Sequence, residues 1–158
     1  MSDVTYQVEQ FSDILPELPE LWKKHWKVSA LYHDKIELQP NIELYKIMEQ
    51  SGRLHISTVR NNGKLIGYFF NILIPESLHY TQISQAGQDI YYIDPGDNPV
   101  TLVDRYRKLA RFVEGRLKEI GIKQHFTTTK LHSDLGKLWE KLGYTEIERR
   151  FSKLLMEE

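Results

Sequence analysis

One acidic residue, Asp89, interrupts the apolar stretch that leads to Tyr91-Tyr92 in "QDIYYIDP". A carboxylate in that setting is a group able to take a proton from a substrate. Two histidines stand in loop-like surroundings, His79 in "SLHYT" and His132 beside Ser133 and Asp134. Histidine donates and accepts protons near neutral pH. Trp22, His25, Trp26, Ser29 and Tyr32 or His33 recur at i, i+3, i+4 spacing, the inner face of a helix. His25 and His33 lack a carboxylate companion at matching spacing, so no metal site is predicted. The chain has no cysteine, which excludes disulfides, thiolate metal sites and a cysteine nucleophile. No G-x-S-x-G elbow, phosphate-binding P-loop or H-E-x-x-H helix occurs.

A second chemical signal is an order of elements. In "YYIDPGDNPVTLVDRYRKLARFVEGRLKEIG" a strand-like run ends at Asp94-Pro95 and an amphipathic helix follows. A helix N-terminus after a strand offers free N–H groups and a favourable dipole to an anion. The connection holds one glycine, Gly96, and residues 97–114 hold none. Glycine is what lets a backbone approach a phosphate closely.

The elements that must position these groups fit one domain spanning residues 1–158. The 41% apolar and 27% charged composition is that of a soluble globular protein. A net charge of −1 gives no general attraction to nucleic acid or membranes, and the basic positions on 105–118 are interrupted by Asp104, Glu114 and Glu119. No run is apolar enough to span a bilayer, and the polar start "MSDVTYQVEQ" is unlike a secretory signal. A cytoplasmic protein is expected.

Residues 4–10 alternate as a half-buried strand, and a helix follows Pro16 or Pro19. A second helix starts after Pro40 with Asn41 as its cap and stops at Gly52. "LHISTVR" and "KLIGYFFNILI" flank Asn62-Gly63, a strong hairpin signal. A long strand is expected over 79–94, bent at Ala86-Gly87, then a helix over 101–120. Residues 123–131 read as a strand, a helix capped by Ser133 or Asp134 runs to Leu142, and "YTEIERRFSKLLM" reads as one or two final strands. The class is α/β (α+β): a central, mixed, mostly antiparallel sheet flanked by helices, with one right-handed β–α–β crossover.

That order resembles the GCN5-related N-acetyltransferase superfamily, and most of all its compact bacteriophage-encoded members. "LHISTVRNNGKLIGYFFNILI" looks like the superfamily's second and third strands. "QDIYYIDP" looks like the end of its fourth, and "LGKLWEKLGYTEIERRFSKLL" like its helix-plus-strand ending. The resemblance implies acetyl-coenzyme A-dependent transfer of an acetyl group to a primary amine, on a small molecule or a protein. It implies Tyr92, Ile93 and Asp94 as backbone partners of the pantetheine arm. It places the pyrophosphate at Val103, Asp104 and Arg105, with Arg105 and Arg107 supplying charge. Asp89 falls where many members hold a base, His79 on the acceptor side, and His132 where an asparagine is common. Trp139 stands where a tyrosine often protonates the departing thiolate; indole is a donor but no practical acid. The alternative is an inactive interaction protein on the same fold. Pairing of "RRFSKLLMEE" between two copies would give a homodimer.

Overall fold

A computed structural model describes residues 2–96 and 98–156. Five strands form one sheet in chain order: β1 (Val4–Val8), β2 (Leu54–Asn61), β3 (Lys64–Ile74), β4 (Gln85–Ile93) and β5 (Gln124–Phe126). All neighbours are antiparallel except β4 and β5. Between β4 and β5 lies α4 (Leu102–Glu119), the crossover helix expected from its apolar stripe.

The hairpin forms as the sequence demands. Asn62 and Gly63 both take positive φ, 49° and 80°, as the two central residues of a type I′ turn must. In β3 three consecutive residues, Tyr68, Phe69 and Phe70, are fully buried. Alternation alone would expose one of them, so helices must cover both faces. On one face lie α1 (Phe11–Ile14), α2 (Leu18–Ser29) and α3 (Ile42–Gln50). Their Phe11, Ile14, Leu18 and Trp22 pack on Ile56, Tyr68, Phe70 and Tyr92. On the other face α4 and α5 (Gly136–Lys141) set Leu109, Val113, Leu117 and Trp139 against Val59, Phe69 and Ile93.

Four boundaries differ from expectation. Helix α2 ends at Ser29, because Ala30 is extended at ψ 120°, so Tyr32 and His33 lie in the turn beyond it. Strand β4 begins at Gln85, leaving His79 and Tyr80 in exposed turns. Its irregularity lies at Asp89 rather than Ala86-Gly87: Phe70 pairs with Ile90 but Asn71 with Gln88, so Asp89 is the extra residue of a β-bulge. Strand β5 is three residues long, and residues 144–156 carry no regular structure, with Phe151 94% exposed. Among the described residues no sheet edge accepts this tail, and an extended segment without one gains no ladder hydrogen bonds.

Candidate active site

The site begins where two parallel strands part. Gln85, Ala86 and Gly87 pair with Gln124, His125 and Phe126, and pairing stops there. Beyond that point side chains span the gap. The Gln88 side-chain oxygen accepts bonds from the Thr127 hydroxyl and the Thr128 N–H, both at 2.7 Å. The Tyr91 hydroxyl donates to the Thr128 carbonyl at 2.8 Å. A gap that takes a whole tyrosine to cross is wider than the ~4.8 Å between paired strands.

The second half of β4 thus has one edge without a strand partner. Which groups face it follows from alternation. The Asp94 N–H donates to the Ile66 carbonyl on β3 at 2.8 Å. Tyr92 and Ile90, two and four residues back, therefore also pair with β3, while Tyr91 and Ile93 turn their backbone groups to the open edge. The Ile93 N–H is met there by the hydroxyl of Tyr106, from the second turn of α4, at 2.9 Å.

On the α2–α3 face two proton-carrying pairs lie close to this edge. The bulge turns the Asp89 carboxylate to α3, where Tyr45 donates to its Oδ2 at 2.5 Å. Burial, and then the bond to Asp89 and its charge, push the Tyr45 phenol far up, so it stays a donor. From α2, His25 Nδ1 lies 2.7 Å from the Tyr68 hydroxyl, and its ring stacks on Tyr92 at 4.8 Å and 5°. Burial, aided by the charge of Lys130, lowers His25 to about 4, so the ring is neutral at pH 7. The neutral ring and the Tyr68 hydroxyl share one hydrogen bond at Nδ1. At the strand's end Asp94 pairs with Lys24 at 2.6 Å and accepts the Gly96 N–H at 3.1 Å.

On the opposite face a groove of about 230 Å³ lies between the start of α4 and α5, lined by Val103, Asp134, Leu135, Lys137, Leu138 and Lys141. Val103 is exposed. Asp104 is held by Arg107 and by Lys108, the latter at 2.8 Å. Arg105 lies near enough to the Tyr6 phenol on β1 for its charge to act on it. The cations that line this groove are Lys137 and Lys141. They are not among the residues singled out from sequence; their i, i+4 spacing on one helix is the one trace of them there.

Trp139 is 5% exposed, edge-on to Tyr91 at 5.7 Å and to Phe69 at 6.2 Å, and its indole N–H finds no acceptor among the described residues. His132 lies apart from the gap's floor. Its Nε2–H donates to the Val28 carbonyl at 2.7 Å, tying the loop after β5 to the end of α2. His79 is exposed against Tyr80. The structure thus brings Asp89, Tyr92, Ile93 and Asp94 together with His25, Tyr45, Tyr68 and Tyr106. In sequence His25 stands out only as a histidine on a helix face, and Tyr45, Tyr68 and Tyr106 read as plain core positions, since a pairing across 13 to 44 residues has no local signature. Among the described residues no group of three metal-ligating side chains occurs.

A sheet that parts between its fourth and fifth strands, with a bulge in the fourth and a crossover helix between them, is the fold of the GCN5-related N-acetyltransferases. Its neighbours among solved structures are acetyltransferases of that superfamily, and the similarity runs the length of the chain. An aminoglycoside acetyltransferase from an uncultured soil metagenomic sample, in complex with sisomicin, superposes with a TM-score of 0.70 at 13% identity, over 97% of each chain. A predicted acetyltransferase with acetyl-CoA from Clostridium acetobutylicum gives 0.65 at 14%, over 97% of each chain. Glucosamine-6-phosphate N-acetyltransferase from Arabidopsis thaliana gives 0.67 at 13%, over 96% of this chain and 99% of the other. No protein-family model and no curated protein sequence matches.

Proposed function

We propose that this protein is an acetyl-coenzyme A-dependent N-acetyltransferase acting in the cytoplasm on a primary amine. The observation that carries the reading is the parting of β4 from β5 beside a bulged carboxylate. The chain's residues suit the cosubstrate. The Tyr91 backbone faces the open edge and offers an amide-like arm a strand's hydrogen bonds. Lys137 and Lys141 flank a groove at the start of α4, suited to phosphate. Acetyl-coenzyme A supplies a thioester carbon to the nitrogen. Asp89 accepts the proton the amine must lose, held by the bond from Tyr45. The C–N bond forms as the C–S bond breaks, and the thiolate takes a proton from water, since Trp139 cannot give one. His25 and Tyr92 wall the acceptor side. Neighbours crystallised with sisomicin or named for glucosamine-6-phosphate support a small amine-bearing acceptor, and one named as a ribosomal-protein-alanine N-acetyltransferase supports a protein acceptor.

A second reading, an inactive binding protein, draws on the side chains of Gln88 and Tyr91 that cross the gap and on the glycine-free start of α4. Thermal denaturation with coenzyme A separates the two. A ligand at 100 times its dissociation constant adds about 2.7 kcal/mol of stability. A rise in Tm is expected; no rise at millimolar coenzyme A leaves the binding protein.

A further inference from the structure

Most of the open β4 edge waits for a partner, but one of its donors is already taken from within the chain. The Ile93 N–H donates to the Tyr106 hydroxyl at 2.9 Å, across 13 residues of sequence. The ring of Tyr106 is fixed by packing on the α4 face, edge-on to Tyr91 with centroids 5.8 Å apart. Its oxygen accepts, and among the described residues no acceptor takes the hydroxyl's own proton. A phenol that receives from a strand edge and has its proton free is an extension of that edge. It moves the donor outward from the backbone by one hydroxyl.

Resting on the acetyltransferase reading, we infer that Tyr106 is a positioning residue for the extended arm of the acyl carrier: it relays the Ile93 N–H to an amide carbonyl of the arm through its own O–H. The arm then makes its first direct backbone bonds at Tyr91, two residues nearer the Asp89 bulge, and so lies farther out at Ile93 than a bare strand would hold it. The start of α4 has no glycine to bring its backbone close to the carrier, and a side-chain donor compensates for that distance.

The test is Tyr106→Phe, with affinities measured by calorimetry for two probes, coenzyme A and 3′-phosphoadenosine 5′-diphosphate, which lacks the arm. The variant is expected to bind coenzyme A at least fivefold more weakly and the nucleotide as wild type does. Equal weakening of both would show a structural effect only and overturn the relay. So would unchanged or tighter binding of coenzyme A. Failure of the wild-type protein to bind either probe would instead overturn the acetyltransferase reading, and the relay with it.

Discussion

Asp89 owes its position to one inserted residue. A regular ladder would set it opposite a β3 residue, with its side chain fixed by strict alternation. The bulge frees it from that pairing and lets Tyr45 reach its Oδ2. If this carboxylate takes the amine's proton, Asp89→Asn keeps the shape and removes the base. We expect turnover to fall by about 10²-fold or more, within the range of a single general base. The check is thiol release from acetyl-coenzyme A with the best amine from a panel of aminoglycosides and simple amines. A wild-type rate in Asp89→Asn would place the base elsewhere. Burial holds His25 neutral at pH 7, with a value of about 4. Its contribution lies in shape: one flat ring on Tyr92 and one bond to Tyr68.

At the scale of elements, the parting of β4 and β5 needs β4 held firmly from its other side. Gly67 on β3 does this by having no side chain. A Cβ there would lie 2.8 Å from the Tyr92 carbonyl oxygen and 2.9 Å from a carbon of the Ile93 side chain. Both neighbours belong to the strand end that carries the open edge. Gly67→Ala should therefore cost about 1–3 kcal/mol by overpacking. Urea denaturation would show it as a lower midpoint with an unchanged slope, and a midpoint equal to wild type would mean that β3 and β4 separate without cost.

The elements themselves were largely legible. The Asn62-Gly63 turn, the α4 stripe and the Asn41 cap, which accepts the Leu44 N–H at 3.0 Å, rest on local chemistry that a sequence displays. The bulge lies two to three residues beyond Ala86-Gly87 because register is set by the partner strand, which local pattern does not encode. The tail reads as strand in sequence, but a strand exists only beside an edge, and none among the described residues accepts it. At the site Asp89 stood out as a charge among apolar neighbours. Tyr106 did not, because one tyrosine on an apolar stripe looks like any other core residue until its hydroxyl's partner is known.

At the scale of the molecule, the face under α4 carries a buried polar chain. His125 on β5 bonds through Nε2 to Asn71 Oδ1 at 2.8 Å and through Nδ1 to the Tyr144 hydroxyl at 2.7 Å. These bonds join β3, β5 and the start of the tail. Burial, with a smaller contribution from His55, lowers His125 to about 4, as burial lowers His25. Both sit below the ordinary value of 6.5, so the fold favours their neutral forms. Their stabilising effect is whole above pH 6.5 and drains away as pH falls from there toward 4, because the unfolded chain binds protons first. Thermal melts should give a flat Tm from pH 8 to 7 and a fall between 6.5 and 4. His125→Gln should make that fall shallower; an unaltered slope would exclude His125 as a contributor. Glu9, Glu17 and Asp94 are held low, Glu9 and Glu17 by Arg60 and Asp94 by Lys24, against burial, and they add a further loss only toward the acid end.

The extra residue in β4 also acts as a change of phase. On the tip side of position 89 the strand's alternation is offset by half a period from the rest, which is what puts Ala86 beneath α4 while Ile90 and Tyr92 face the other layer. Position 89 therefore holds two kinds of information at once, a side chain and a count. Substitution can erase the carboxylate and leave the count intact, so a chain of this form can lose that group and still be the same folded object. Loss of the residue itself would exchange the faces of everything from Gln85 to Gln88, and the carboxylate would go together with the core.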